Sequence, residues 1–556
     1  MDNAKYQPDF PGEEWSERDR YYLAPFVSNM DGLVASLRNL PPELTGALCS
    51  RASRASDSLL RVLLKEYLYP ILDGEDKELR EDLDELVKFY HAHDMSAFSK
   101  KGKLFYAKWL AAYGDDSIAQ LAGGHLVVWG ISQVAMKFIE DFRIGLAPIE
   151  KSTRYVDFSQ KVAGKYLYYT DPDIVAAGLG EEYCSVMDFL FETNAEMIRR
   201  LKAWLKEKFP DEKDGVIEKK AFDTARGLLP MSTLGQVAFF GNGQAFEYAI
   251  SKCLEHKMGE LRWLGSAARQ ELDSELGSLL LRLGDEKSKE YQKYLATMKE
   301  RMRLEVEALV QKGELPSYSP WLGGAKVSLV EFDPEGEEKL VAGALFPSSK
   351  ASWPDLMAAV RKMSGEEKRR ILAKYLEGRT QRWQKVGRGF ENAYVRFEIM
   401  VNAGAYRDLH RHRMHTQERQ LFTVIHGYDV PPEVEEAGLA DKVHEAMDKV
   451  GGLYNKIAAA LGEEHAQYAT ALFHRVRFYQ LQNIRQSFWE IELRTGPQGH
   501  PDYRHVGQEK YRLLEKAYPN AAPFIKADLG EYDFARRGTE EKIKAKEEKL
   551  KERFSN

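Results

Sequence analysis

Alternation of apolar and polar positions is clearest in Tyr394-Val395-Arg396-Phe397-Glu398-Ile399-Met400-Val401. Val395, Phe397, Ile399 and Val401 fall on one face there, and Arg396 and Glu398 on the other. A period of two predicts a strand with one buried face. Ala403-Gly404-Ala405-Tyr406-Arg407-Asp408-Leu409 then reads as the start of a helix. The same alternation in Ala325-Lys326-Val327-Ser328-Leu329-Val330-Glu331-Phe332 predicts a second strand, and helices are expected from about Trp353 to Tyr375. Leu59, Leu60, Val62, Leu63, Leu64 and Tyr67 recur at three and four, which predicts one helix over Ala47 to Tyr69. Tyr113-Gly114-Asp115-Asp116-Ser117 reads as a turn or cap before a long apolar run, Ile118 to Phe142. Residues 286 to 312 are highly charged with helical spacing, and Gly313-Glu314-Leu315-Pro316-Ser317-Tyr318-Ser319-Pro320 breaks that pattern. Residues 538 to 556 read as a separate helix, with Thr539 as cap and Glu540–Lys544 and Glu547–Lys551 as ion pairs. The elements together predict a mixed α/β (α+β) protein.

Composition narrows the class. A chain of 556 residues exceeds one ordinary core, so two or more domains are expected. A net charge of -6 at this length does not call for a nucleic-acid partner. Cys49, Cys184 and Cys253 have neither zinc-site nor disulfide-framework spacing, which points to a reducing, cytoplasmic location. The start, Met1-Asp2-Asn3-Ala4-Lys5, leads into polar sequence without an apolar signal region, and no run has the length of a membrane span.

The chemistry concentrates in His410-Arg411-His412-Arg413-Met414-His415, placed where the helix after the alternating strand ends. Guanidinium forks at such a point suit phosphates and carboxylates. His410, His412 and His415 also have the composition of a metal site. On a helix, however, His410 and His412 face different ways, and no carboxylate or Cys cluster completes the set, so no metal is expected. Arg51 and Arg54, one turn apart, could grip an anion or simply face solvent.

Arg411-His412-Arg413 resembles the Arg-His-Arg signature of flavin-dependent thymidylate synthases. In that family the signature runs on to Ser-x-Arg-Tyr. Here Leu421-Phe422-Thr423-Val424 occupies that place, whereas Ser152-Thr153-Arg154-Tyr155 stands in the first half, two residues past Glu150. The first half has Asp141-Phe142-Arg143 instead of Arg-His-Arg, in a loop one residue longer. Ala225-Arg226-Gly227-Leu228-Leu229-Pro230 is similar to the family's Ala-Arg-x-x-Leu-Pro, and Asn483-Ile484-Arg485 with Arg494 to its Asn-x-Arg and later Arg. Asn242-Gly243-Gln244 keeps only the Asn, and Gln498-Gly499-His500-Pro501 reads as a turn in place of a helix start.

The resemblance implies a tandem duplication of thymidylate-synthase-complementing type, each lobe a small sheet flanked by long helices. It divides the chain into a polar arm (1–22), a first lobe (23–312), a linker (313–321), a second lobe (322–535) and a charged helix (536–556). The surviving motifs are complementary. Glu150, Ser152, Arg154 and Arg226 match the family's dUMP side, Arg494 the pyrimidine, and Arg411, His412, Arg413, Asn483 and Arg485 the flavin side. The implied activity is reductive methylation of dUMP to dTMP, with FAD as cofactor and NADPH and methylenetetrahydrofolate as co-substrates. One composite site would draw on both lobes, with Arg494 and Ser152 nearest the chemistry, in a homodimer forming a pseudo-tetramer. The alternatives are a non-catalytic flavin- or nucleotide-binding homologue and a related enzyme acting on another pyrimidine nucleotide.

Overall fold

The computed structural model describes residues 3–93, 96–106, 108, 110, 116–142, 144–321, 326–535, 537–538 and 545–550. The chain forms two compact units. Unit 1 comprises Met1–Arg199, Leu228–Ser319 and Gly438–Ala471; unit 2 comprises Arg200–Gly227, Pro320–Ala437 and Leu472–Asn556. Each unit therefore takes one segment from the other half of the sequence.

Unit 1 is built on an antiparallel sheet ordered β1-β2-β4-β3, with β1 Val34–Leu37, β2 Gly123–Ser132, β3 Leu146–Glu150 and β4 Leu234–Asn242. Unit 2 repeats the arrangement as β5-β6-β8-β7, with β5 Val327–Phe332, β6 Tyr394–Asn402, β7 His415–Arg419 and β8 Arg475–Asn483. The alternating strand is β6, and Val395, Phe397, Ile399 and Val401 are fully buried on its inner face. Each of those side chains contributes about 1.5–3 kcal/mol by burial, so this face fixes the register of β6.

Both central strands of each sheet run straight into a helix through a side-chain cap. Ser132 caps α1 (Gln133–Glu140), Asn242 caps α2 (Gly243–Leu254), Asn402 caps α3 (Ala403–Leu409) and Asn483 caps α4 (Ile484–Arg494). In each, the cap oxygen accepts from a backbone N–H in the first turn at 2.8–3.0 Å. A side chain that satisfies an orphan N–H lets extended backbone turn helical within one residue. The next helices are α5 (Gly259–Leu276) in unit 1 and α6 (Pro501–Ala517) in unit 2. The registers and caps set Ser132 opposite Asn402, Leu146 opposite His415, and Asn242 opposite Asn483 in the repeat.

Several sequence expectations change. Helix does not run unbroken from Ala47 to Tyr69: one helix ends at Ala52, and helical structure resumes at Leu59 under the Ser58 cap. Ser53, Ser56, Asp57 and Ser58 offer the backbone competing hydrogen bonds there. Gln498–Pro501 is not a turn replacing a helix, because His500 caps α6 and Pro501 takes its first position. The charged stretch does form one helix, Glu286–Gln311. Of the expected turn at 113–117, residues 113–115 lie outside the described residues. Of the C-terminal helix, 545–550 are helical, and Thr539 lies outside them.

Candidate functional site

In unit 2, α3 leads into the loop 410–414, which ends at β7. His412 is buried, while Arg411 and Arg413 are exposed. Arg494, the last residue of α4, donates from Nε to Nε2 of His412 at 3.0 Å. That bond requires an unprotonated Nε2, so Arg494 keeps the ring proton on Nδ1. The Arg494 guanidinium also lies 3.8 Å from the Asp408 carboxylate and over the Tyr503 ring, and Arg411 is 3.9 Å from the same Asp408. Burial draws the Arg494 proton affinity down and Asp408 opposes it. A guanidinium nevertheless stays charged, so this one is a fixed positive charge in poor solvent.

Behind Arg494 lies a buried polar network that the sequence reading missed. Lys510 Nζ is 2.7 Å from Glu490 and also donates to Gln480; both ions are fully buried. Gln480 donates to Gln417 at 2.8 Å, and Gln417 to the Tyr406 hydroxyl at 3.1 Å. Burial pulls Lys510 below the ordinary lysine range, with Glu490 opposing and Arg494 reinforcing the shift.

On the other side of α4 opens a pocket with about 270 Å³ of free volume. Its walls include Asn483, Arg485, Met414, Phe488 and Trp489, with four cations, Arg379, Arg382, Lys385 and Arg485, against two carboxylates, Glu391 and Glu492. Arg485 pairs with Glu391 at 2.7 Å and Arg379 with Glu492 at 2.8 Å, which leaves Arg382 and Lys385 as the positive excess. Lys385 lies over the Trp489 ring. Partial burial, then the like charge of Arg382, pulls Lys385 below its ordinary value; Arg379 and Arg485 add to the effect and Glu492 opposes it. Cations that depress one another beside an aromatic face are arranged for an anion carrying a ring. The signal for this wall was present in Arg379-Thr380-Gln381-Arg382-Trp383-Gln384-Lys385 and in Arg485 and Trp489, one helical turn apart.

Arg226 belongs to unit 2 although it comes from the first half of the chain. It is buried and donates to the Gly404 carbonyl at 3.2 Å, at the opposite end of α3 from Arg411. The structure therefore brings Arg411, His412 and Arg494 together, sets Asn483 and Arg485 in the pocket, and holds Arg226 about 10 Å away along α3.

In unit 1, Glu150 ends β3, and Ser152 and Arg154 follow it directly. Glu150 is held by the buried Lys137 at 2.9 Å, and Lys137 also bonds Glu140. Ser152 N–H donates to the Ser53 carbonyl at 2.9 Å, and the Ser152 hydroxyl oxygen accepts from Arg154 N–H at 3.3 Å. Arg54 lies over the Tyr155 ring, whereas Arg51 is taken up by Glu66. Among the free cysteines, burial pushes Cys49 up to about 11 and Cys253 up to about 12, which keeps both as thiols.

The repeat shows how the copies diverged. Counted from matching caps and registers, Arg494 corresponds to Cys253, His412 to Phe142, Glu490 to Ala249, Lys510 to Ala268 and Gln480 to Phe239. In unit 1, Cys253, Ala249, Ala268 and Phe239 line an apolar cavity with Leu126 and Val128. In unit 2 the same places carry ions and amides. A second matched pair shows opposite titration. Asp502 of α6 accepts from the cap residue Asn402 at 2.6 Å. Burial pushes Asp502 up, but His500, Lys326, Asn402 and Arg226 together hold it well below the usual carboxylate range. Glu260 of α5 accepts from the Ser132 N–H, the Ser132 hydroxyl and the Tyr468 hydroxyl at 2.6–2.8 Å, and burial raises it to about 7.

Fold and site together define a class: a duplicated sheet-and-helix protein whose second copy carries ions and amides at positions where the first lines a cavity with apolar side chains. The chain belongs to the thymidylate synthase complementing protein family, whose model matches it twice, over residues 74–276 and 328–520. It is 36% identical over 533 residues to a UPF0159 protein of Chlamydia pneumoniae, covering 94% of this chain and 97% of the relative. A UPF0159 protein of Chlamydia muridarum is 35% identical, covering 96% of this chain and 99% of the relative. One of Thermoplasma acidophilum is 29% identical, with 89% and 97% covered. No helix among the described residues is long and apolar enough to cross a membrane.

Proposed function

We propose that this protein is a flavin-dependent thymidylate synthase-like enzyme that methylates dUMP reductively to dTMP, using methylenetetrahydrofolate and NADPH. The observation that carries the reading is the excess of positive charge around Trp489, beside the loop 410–414. The residues there fit FAD in kind: Arg382 and Lys385, the latter over the Trp489 ring, offer charge beyond the two ion pairs for a diphosphate, and Asn483 and Arg485 flank them. The flavin, when bound, supplies the hydride chemistry. The chain's own groups bind, orient and polarise.

Arg494 is the group for the pyrimidine. Its position is fixed by His412 and Asp408, and a fixed cation in poor solvent stabilises negative charge that develops on a ring during reduction and carbon transfer. Arg411 and Arg413, exposed on the same loop, serve the flavin phosphates. Ser152 and Arg154 serve the nucleotide phosphate: Arg154 N–H orients the Ser152 oxygen, whose O–H then donates outward. Glu150, paired with Lys137, steadies that turn, and Arg226 adds charge at the start of α3.

The test begins with the visible absorption spectrum of the purified chain and its titration with dUMP. About one flavin per chain, perturbed by dUMP, is the expected result; no flavin after addition of FAD overturns the reading. Arg494→Ala and Arg154→Ala are each expected to reduce dUMP-dependent turnover by about a hundredfold or more. Normal turnover in either variant removes that residue from the site.

A further inference from the structure

We propose that Asp171, Asp173 and His465 of unit 1 form a site for one divalent ion of the manganese-to-zinc series. One donor atom from each residue lies within 4.8 Å of the others. Asp171 is fully buried. One of its oxygens accepts from the Asp173 N–H at 2.7 Å, as the cap of the short helix Pro172–Ala176, and the other is buried without a hydrogen-bond partner. Both ring nitrogens of His465 are likewise enclosed without a hydrogen-bond partner.

A buried carboxylate oxygen without a partner is costly, and an unpartnered imidazole lone pair beside it calls for a partner that both can share. A cation accepts both a carboxylate lone pair and the lone pair of one imidazole nitrogen. Bonds of about 2.0–2.2 Å place ligand atoms roughly 3.4 Å apart in a tetrahedral site. Nε2 of His465 and Oδ2 of Asp173 are already 3.7 Å apart, so small side-chain rotations close the set. Imidazole among the ligands favours the transition series over magnesium or calcium, and three protein ligands leave room for water. Two groups already address Asp173. The Tyr6 hydroxyl donates to it at 3.1 Å and would keep its orientation, as outer partners of metal ligands do. Lys5 is 3.7 Å away, but 58% of its side chain is exposed, so it can turn to solvent.

Asp171 and Asp173 come from the first half of the chain and His465 from the Gly438–Ala471 segment, all within unit 1. A bound ion would therefore fasten that segment in place. Full-length protein is stripped with chelator, re-equilibrated with Mn²⁺ or Zn²⁺, desalted and measured by elemental analysis and thermal melting. The expected result is one ion per chain, a higher melting temperature, and loss of both in His465→Ala and in Asp173→Asn, with ion affinity at least about tenfold weaker. Failure of the wild-type chain to retain either ion overturns the proposal, as does equal retention by folded His465→Ala. These readouts use no substrate or flavin, so they stand apart from the test of turnover.

Discussion

Glu260 and Asp502 occupy the same place in the two copies, and their surroundings decide opposite behaviour. Glu260 faces hydroxyls and a backbone N–H, whereas Asp502 faces Lys326, Arg226 and His500. A carboxyl raised from 4.5 to about 7 keeps its proton in the folded chain where the unfolded chain has lost it. Between those two values folding takes up a proton, so stability falls as pH rises through the window, by about 3 kcal/mol in all. Glu260→Gln, melted with chelator present, is expected to abolish that slope and to gain stability above pH 7. A slope unchanged from wild type rules out Glu260 as its source. Asp502 has the opposite sign. Its folded value is depressed, so its contribution is present above the ordinary carboxylate range and is lost on acidification. Asp502→Asn is expected to cost about 2 kcal/mol at neutral pH, because Arg226 and Lys326 lose one negative neighbour, Lys326 keeping Asp429, while 28% of the Asp502 side chain still meets water.

At the scale of elements, burial of polar groups separates the copies, and this is where Lys510 and Glu490 matter. Lys510→Met leaves Glu490 buried without its cation, an expected loss of about 3–5 kcal/mol in urea unfolding. Adding Glu490→Leu is expected to recover much of that loss, since unit 1 holds Ala268 and Ala249 in the same places. Double and single variants of equal stability would mean the ions are not coupled. The network also shows why some of the molecule was legible in sequence and some was not. The β6 alternation announced itself because one buried face suffices to produce it. The Arg411–Arg413 loop and Asn483 through Arg494 were legible as motifs. Lys510 was not, because a Lys on an amphipathic helix normally marks the solvent face, and only the fold turns it inward between Gln480 and Glu490. The cations at 379, 382 and 385 read in sequence only as a basic loop without periodicity, because they join Trp489 in one wall only in the folded chain. Asp171 and Asp173 are near neighbours, but His465 lies in the other half of the chain, a spacing that no local pattern reveals.

For the whole molecule, the sequence repeat and the compact unit are different things. The family model matches residues 74–276 and 328–520 as two copies, yet unit 1 includes Gly438–Ala471 and unit 2 includes Arg200–Gly227. Helix Ala440–Leu461 sets Val443, Met447, Val450, Leu453, Tyr454 and Ile457 into the core of unit 1, where Lys442 pairs with Glu196 and Lys456 with Glu182. At about 1.5–3 kcal/mol for each large apolar side chain, that helix contributes roughly 10 kcal/mol, comparable to the net stability of a domain. Unit 2 in turn receives Arg226, and Lys220 and Lys208, which pair with Glu433 and Glu436. A first half ending in the linker would lack the helix that completes its core, and the second half would expose the apolar face of that helix. Residues 1–316 and 317–556 expressed apart are therefore expected to be aggregated or to lack cooperative unfolding. Expressed together they are expected to co-purify and melt close to the intact chain, because the cut falls in an exposed connection rather than in either core. The decisive outcome on the other side is equally concrete. If residues 1–316 alone gave a monomer with a sharp melt near that of the full chain, the exchanged segments would be dispensable, and each sequence repeat would be a folding unit after all.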